Sequence, residues 1–513
     1  MVSRGLLCVA AALSCVATTA LSQRGLSALD SGLVRRILLA EDRRDTTSTA
    51  FAEGARHADR RIQVLARRAA ARVRDPRFVA RDSFPALPVP QVYAEPAWRL
   101  RLRALTPRTE CAALHTAMAD SAWPVRLRAM DLVRPECARD TAMTRVLRDW
   151  ANAVPGNSSR TGDGVSWHAA AHALVALTKV APTDARLALP AANTSSIPQL
   201  RAYAARAAGA LADTTVLRRL ARDDNDNVKE AAISSLMTVA KHDADDEYIA
   251  ALNAPGFQAV RAAARALAGS PRQGEVLAAV FATSRRIRGA LNDPSRDARM
   301  ALLERVGEFA TQQHLSEIGT LTADFDCDVA RAAIAIAVKL GAQGGPVRCT
   351  AMNAIVPPEA VALALGRDIR LRVTLADSSG GGSFVVKLRG DVAPIMAARV
   401  LALAREGYYN NLTWHRVEHD FVIQGGGPGA NEYVGYPRFF RDELGTVSHA
   451  RGTVGMSTRG HDTGDAQWFV NLRDNARLTR DYTVFAEVIE GIDVVDGVLE
   501  GDVIARIEVV TVR

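Results

Sequence analysis

The sequence predicts a multidomain chain, an all-α repeat array over residues 23–365 followed by a small antiparallel β domain over 366–513. Three observations predict it. Short stretches with apolar and alanine residues at three- and four-residue steps, the helical period, recur along most of the chain. Near residue 366 this gives way to alternating and glycine-punctuated apolar runs, the pattern of short strands. The chain also has 513 residues, more than one ordinary core accommodates.

The first 22 residues, MVSRGLLCVAAALSCVATTALS, form a unit of their own. Arg4 supplies a positive start, and residues 6–17 form an apolar run shorter than the roughly 20 residues a membrane span needs. Ala20-Leu21-Ser22 places small residues where a signal peptidase reads. The expectation is a signal peptide cleaved near Ser22–Gln23, export to the periplasm or the cell exterior, and no membrane span afterwards.

The repeats come next. RRIQVLARRAAARVRDP begins at Arg60 and VRLRAMDLV at Val125. LRAYAARAAGAL, VKEAAISSLMTVA, VRAAARALAG, ARMALLERV and VARAAIAIAVKLG follow from Leu200, with starts 28, 32, 38 and 31 residues apart. Asp, Asn or Pro precedes many copies, as helix starts require. The pattern resembles HEAT-type helical repeats. That resemblance implies stacked helix pairs in a curved solenoid, each burying its apolar face only against its neighbours, with a surface for a protein partner or client.

Without the leader the cysteines are Cys111, Cys137, Cys327 and Cys349. Export permits disulfides, and Cys111–Cys137 and Cys327–Cys349 are the natural local pairs, with four free thiols as the alternative. His168 and His172 share a helix face, but no third ligand stands nearby in sequence, so they read as ordinary half-buried histidines and no metal is expected. Residues 371–513 hold 15 Lys/Arg and 19 Asp/Glu, leaving 49 and 37 for the rest. The positive part interleaves Arg with Asp and carries no aromatic platform, so it reads as a solvated face without nucleic acid.

In the β domain, Leu371-Arg372-Val373-Thr374-Leu375 alternates as a strand. The glycine-rich turn SSGGGS leads into a second strand over 384–388. Pro394 opens a helix striped by Met396, Val400 and Leu403, with Gly407 past its end. Short runs between glycine loops follow, and a final strand covers 506–513.

Three stretches carry a resemblance: APIMAARVLALAREGYYNNLTWHRVEHDFVIQGGGPG, RGTVGMSTRGHDTGDAQWFVNL and YTVFAEVIEGIDVVD. In order and spacing they look like a cyclophilin-type peptidyl-prolyl isomerase. The resemblance implies a closed eight-stranded antiparallel β-barrel with two capping helices. It also implies proline-containing polypeptides as substrates. Carried over, it makes Arg416 the catalytic arginine, Gln424 the glutamine that orients it and contacts substrate backbone, and Phe421 and Phe469 walls of the proline pocket. Val422 and Leu478 become further pocket walls, Gln467 lines the groove, and Ser457 and Thr458 belong to the strand that binds peptide backbone. Tyr482 stands where many relatives have histidine. Two arginines depart from the pattern. Arg477 replaces an aromatic, which puts binding of the family's cyclic peptide inhibitor in doubt, and Arg459 replaces a small residue in the groove loop.

The reaction suits these residue types. Rotation about an X–Pro bond breaks no bond, so it needs no nucleophile, cofactor or metal. Its barrier of about 18–20 kcal/mol reflects amide resonance. In the twisted amide the proline nitrogen regains a lone pair, to which a fixed guanidinium can donate while an apolar pocket holds the ring. The competing reading is a protein-binding scaffold that uses both domains without turnover.

Overall fold

The computed structural model describes residues 27–74, 91–159, 166–349, 355–445 and 447–511. The leader and its expected cleavage site lie outside the described residues. Among those described, no helix is long and apolar enough to cross a membrane.

From Thr141–Asn152 onward the helical part is an ordered stack. Helices Trp167–Val180, Pro198–Ala210, Asp226–Val239, Phe257–Ala266, Arg296–Phe309 and Cys327–Lys339 pack each on the next. The predicted start signals act as caps. The side chains of Asp213, Asn225 and Asp326 accept from backbone N–H groups in the first turns of the helices they precede. Small residues allow close stacking: a Cβ on Gly209 would lie 2.8 Å from the Ser235 Cβ of the neighbouring helix. Cys111–Cys137 and Cys327–Cys349 are both disulfide-bonded.

The C-terminal part is one curled antiparallel sheet of eight strands. They are β1 Ile369–Leu375, β2 Ser383–Leu388, β3 Arg416–Glu418, β4 Val422–Gly425, β5 Thr453–Met456, β6 Trp468–Asn471, β7 Val484–Glu490 and β8 Ile504–Thr511, in the order β3-β4-β6-β5-β7-β2-β1-β8. The residues leading into β3 and β8, its two outer strands, meet at an isolated bridge between Thr413 and Val503. Trp414 N–H also donates to Asp502 O at 2.8 Å there. The β1–β2 hairpin turns through Gly380, Gly381 and Gly382, all at positive φ, which L side chains rarely adopt. Helices Pro394–Arg405 and Ile492–Asp496 pack on the sheet.

Hydrophobic packing divides the chain differently from the sequence-based boundary at 365. Helices Ala28–Asp42, Ala50–Ala55 and Arg60–Arg74 bury Leu33, Val34, Ile37, Ile62 and Leu65 in one cluster with Leu363 of the helix Pro358–Ala364 and with Met396, Leu401, Phe384 and Trp414 of the β domain. The stacked helices form a separate cluster. Helical period says which face of a helix is apolar, not which distant surface covers it.

Buried polar contacts tie the parts together. Glu41 and Arg72 pair with almost no exposure, and Arg72 Nη2 donates to Val392 O at 2.9 Å. Arg99, also buried, donates to His419 O, Leu472 O and Asp496 Oδ1 at 2.7–2.9 Å. His168 Nε2 donates to Glu500 O at 2.7 Å, and His172 pairs with Asp131 at 2.6 Å. Both histidines thus serve packing between elements.

Glu443 accepts from Ile395 N–H and Met396 N–H, in the first turn of the helix Pro394–Arg405. Burial, with the Glu41 carboxylate beside it, pushes Glu443 up to about 7 from 4.5. A carboxyl raised in the fold contributes stability that is complete below its unfolded pKa and lost as pH rises through the folded one. Glu443→Gln cannot ionise and should escape that loss. Its urea midpoint relative to wild type should rise between pH 5 and pH 8. A difference constant over that window would refute this titration.

Candidate active site

The strand register builds the site from distant residues. Arg416 of β3 lies opposite Gln424 of β4, Gln424 opposite Phe469 of β6, and Phe469 opposite Gly455 of β5. Directly opposed residues in an antiparallel sheet share a face, so Arg416, Gln424 and Phe469 form one row across the strands. The row ends at glycine for a steric reason: a Cβ on Gly455 would collide with the Phe469 ring.

Beside the row lies an apolar patch separate from both main cores. Val422, Phe469 and Leu478 are buried together, and Phe421 and Tyr482 pack at their edge. Leu478 is delivered by the 3-10 turn Ala476–Leu478. The Tyr482 ring meets Phe469 edge-on at 5.8 Å. His449, fully buried, stacks on the other part of this wall, 5.9 Å from Phe469. Burial pushes His449 down to about 4, so it stays neutral near pH 7 and the wall stays uncharged. Phe421 is anchored through its carbonyl, which accepts from Leu472 N–H and Asn475 Nδ2 at 3.0 Å each. Asn475 in turn donates to Asn471 Oδ1 at 2.7 Å.

The Arg416 guanidinium is oriented from three directions. Nη1 donates to Gln424 Oε1 at 3.3 Å, Nε donates to Glu418 Oε1 at 2.9 Å, and Nη1 lies 3.2 Å from Glu432 Oε1. It sits 5.9 Å from the Phe421 ring centroid and is 38% exposed, so it borders the apolar patch while staying open to a ligand. Gln424 is almost fully buried, and its Nε2 has no partner among the described residues; the same is true of Gln467 Oε1.

The structure brings Arg416, Phe421, Val422, Gln424, Phe469, Leu478 and Tyr482 together. Ser457, Thr458 and Gln467 lie at the neighbouring ends of β5 and β6, where Ser457 N–H donates to Gln467 O at 2.8 Å. Arg459 leaves the groove floor: it pairs with Asp465 and with Asp297 of the helical stack, and donates to Glu432 O. The Arg477 guanidinium lies 4.5 Å from the Phe421 centroid, covering part of that ring. Sequence reasoning missed Glu418, Glu432, His449, Asn471 and Asn475. Of these only Glu418 carried a local signal, two residues along the strand from Arg416; the others reach the site through long-range pairing.

Residues 372–511 match the family described as Cyclophilin type peptidyl-prolyl cis-trans isomerase/CLD. Peptidyl-prolyl cis-trans isomerase B of Escherichia coli is 37% identical over 126 residues, 22% of this chain and 77% of that protein. A peptidyl-prolyl cis-trans isomerase of Helicobacter pylori is 34% identical over 130 residues, 25% of this chain and 80% of that protein. Peptidyl-prolyl cis-trans isomerase-like 2 of Neurospora crassa is 37% identical over 117 residues, which are 22% of this chain and only 20% of that longer relative. In fold, in the order of its motifs and in its likeness to these relatives, this chain belongs to the cyclophilin-type peptidyl-prolyl cis-trans isomerases.

Proposed function

We propose that this protein accelerates cis–trans rotation of X–Pro bonds in exported client polypeptides. The observation that carries this is the fixed Arg416 guanidinium beside a small apolar patch that belongs to neither main core. The proline ring occupies the patch formed by Val422, Phe469 and Leu478, with Phe421 and Tyr482 at its rim. Arg416 donates to the proline nitrogen as the amide twists, an interaction absent from either planar form, so it lowers the barrier rather than only aiding binding. Gln424 orients Arg416 and contacts the substrate backbone, and Gln467 lines the groove. Ser457 and Thr458 border the chain beyond.

In this reading the strand ladder acts as a closed eight-stranded barrel with two capping helices. The stacked helices act as a HEAT-like solenoid for clients or a protein partner, and the leader sends the chain to the periplasm or the cell exterior. Two disulfides suit such an oxidising compartment. The second reading, a binding scaffold without turnover, is favoured by the Arg477 guanidinium lying over Phe421. Cis-to-trans exchange of an Ala-Pro peptide with the full chain separates them. Acceleration well above the spontaneous rate supports the isomerase, and binding without acceleration supports the scaffold. The full chain is required because helices before residue 75 share the β-domain core.

A further inference from the structure

We propose that the cleft between the helical stack and the β domain is a substrate subsite for extended polypeptide, holding the chain that flanks the isomerised proline. This rests on the isomerase reading above and adds a substrate class to it.

The cleft has a volume of about 1030 Å³. That is at the upper end of the roughly 300–1,000 Å³ usual for ligand sites. One wall is the helices Pro198–Ala210 and Asp226–Val239, and the other is the segment before and including Arg416, residues 430–433 and residues 500–503. Arg416 lines this cleft and also overlies Phe421 of the apolar patch. A chain with its proline in the patch therefore passes Arg416 on one side and enters the cleft.

The walls are joined at both ends. At one end Tyr203 Oη donates to Glu500 Oε2 at 3.2 Å and His168 donates to Glu500 O. At the other, Asn227 Nδ2 donates to Gly429 O at 3.0 Å and to Ala430 O at 3.2 Å. These bonds fix the two walls relative to each other. Its lining suits backbone amides: Gln199 offers a side-chain amide, and Ser234 and Thr238 offer exposed hydroxyls. The preferred substrate is thus unfolded polypeptide with several free residues beside the proline.

The test compares a short Ala-Pro tetrapeptide with the same core extended on either side by about eight Ser/Asn/Ala residues, a reach of roughly 25 Å when extended. Both exchange kinetics and fluorescence anisotropy of the labelled peptides are measured on the full chain. One of the two extensions should raise kcat/KM about tenfold, through KM, and tighten binding in parallel. Ser234→Trp, at an exposed helix position, should fill the cleft and return the long-to-short ratio to near one; Thr238→Trp is the second variant should the first fold poorly. Equal constants for short and long peptides, or a gain that survives both variants, would overturn the proposal. Absence of turnover with every peptide would sink the isomerase reading instead, because the length-dependent binding and its loss in the tryptophan variants are read without turnover.

Discussion

Arg416→Ala should lower kcat/KM for X–Pro exchange by about a hundredfold to a thousandfold, the usual loss when one preorganised electrostatic donor is removed. The variant should keep its fold, because Arg416 is 38% exposed and sits at an outer strand of the ladder. Gln424 would lose one partner but keep its strand pairing. The loss should fall on kcat more than on KM, since the donated hydrogen bond forms only with the twisted amide. Arg416→Lys should recover little. A lysine offers a compact charge on a flexible stem, and cannot reproduce a fork held at once by Gln424, Glu418 and Glu432. Exchange kinetics at matched circular dichroism would decide it. A variant that keeps more than about a third of the wild-type rate would remove Arg416 from the reaction and move attention to the apolar patch alone.

Arg72→Ala should destabilise the protein by about 3–5 kcal/mol, the cost of leaving a buried charge without its partner. Glu41 is completely buried, and after the change its nearest cation is Arg68 at 3.9 Å. The bond to Val392 O, just before the helix Pro394–Arg405, is lost as well. That helix carries Met396 and Leu401 of the shared core, so the damage should spread to the β domain. Replacing both partners, as Glu41→Met with Arg72→Met, should recover part of the loss, since Glu41 no longer lies buried without Arg72 while Arg68 loses its own contact with Glu41. Urea midpoints of the two single variants and the double variant would measure the coupling. Additive effects would mean that the pair is not coupled and that the cost lies in lost packing.

The periodic elements were legible because their signals are local. Asp, Asn and Pro mark the helix starts, and the caps at Asp213, Asn225 and Asp326 are where those residues stand. The β1–β2 hairpin and the helix from Pro394 follow from a glycine turn and a proline. Arg416 and Gln424 were legible as a pair through the resemblance to the cyclophilin-type isomerases, and the β3–β4 pairing opposes them directly. Phe469 stands 45 residues after Gln424, and only the β4–β6 pairing puts it in the same row. His449 and Asn475 looked like any polar loop residues, and became parts of the pocket wall when the chain folded them under Phe469 and Phe421.

By itself the sequence determined several of the repeat helices, the first, second and last strands of the β domain with the helix from Pro394, the family of the C-terminal domain and the residue types suited to twisting a proline amide. Only the tertiary structure decided that the first three helices share the β domain's core, that Arg459 turns to Asp297 of the stack, and that a pinned cleft opens beside Arg416. The physical reason is range. Period, caps and turns act over a few residues and are written in the local order of side chains. Burial partners, buried ion pairs and clefts depend on surfaces brought together from hundreds of residues apart, where complementary shape and charge select the match.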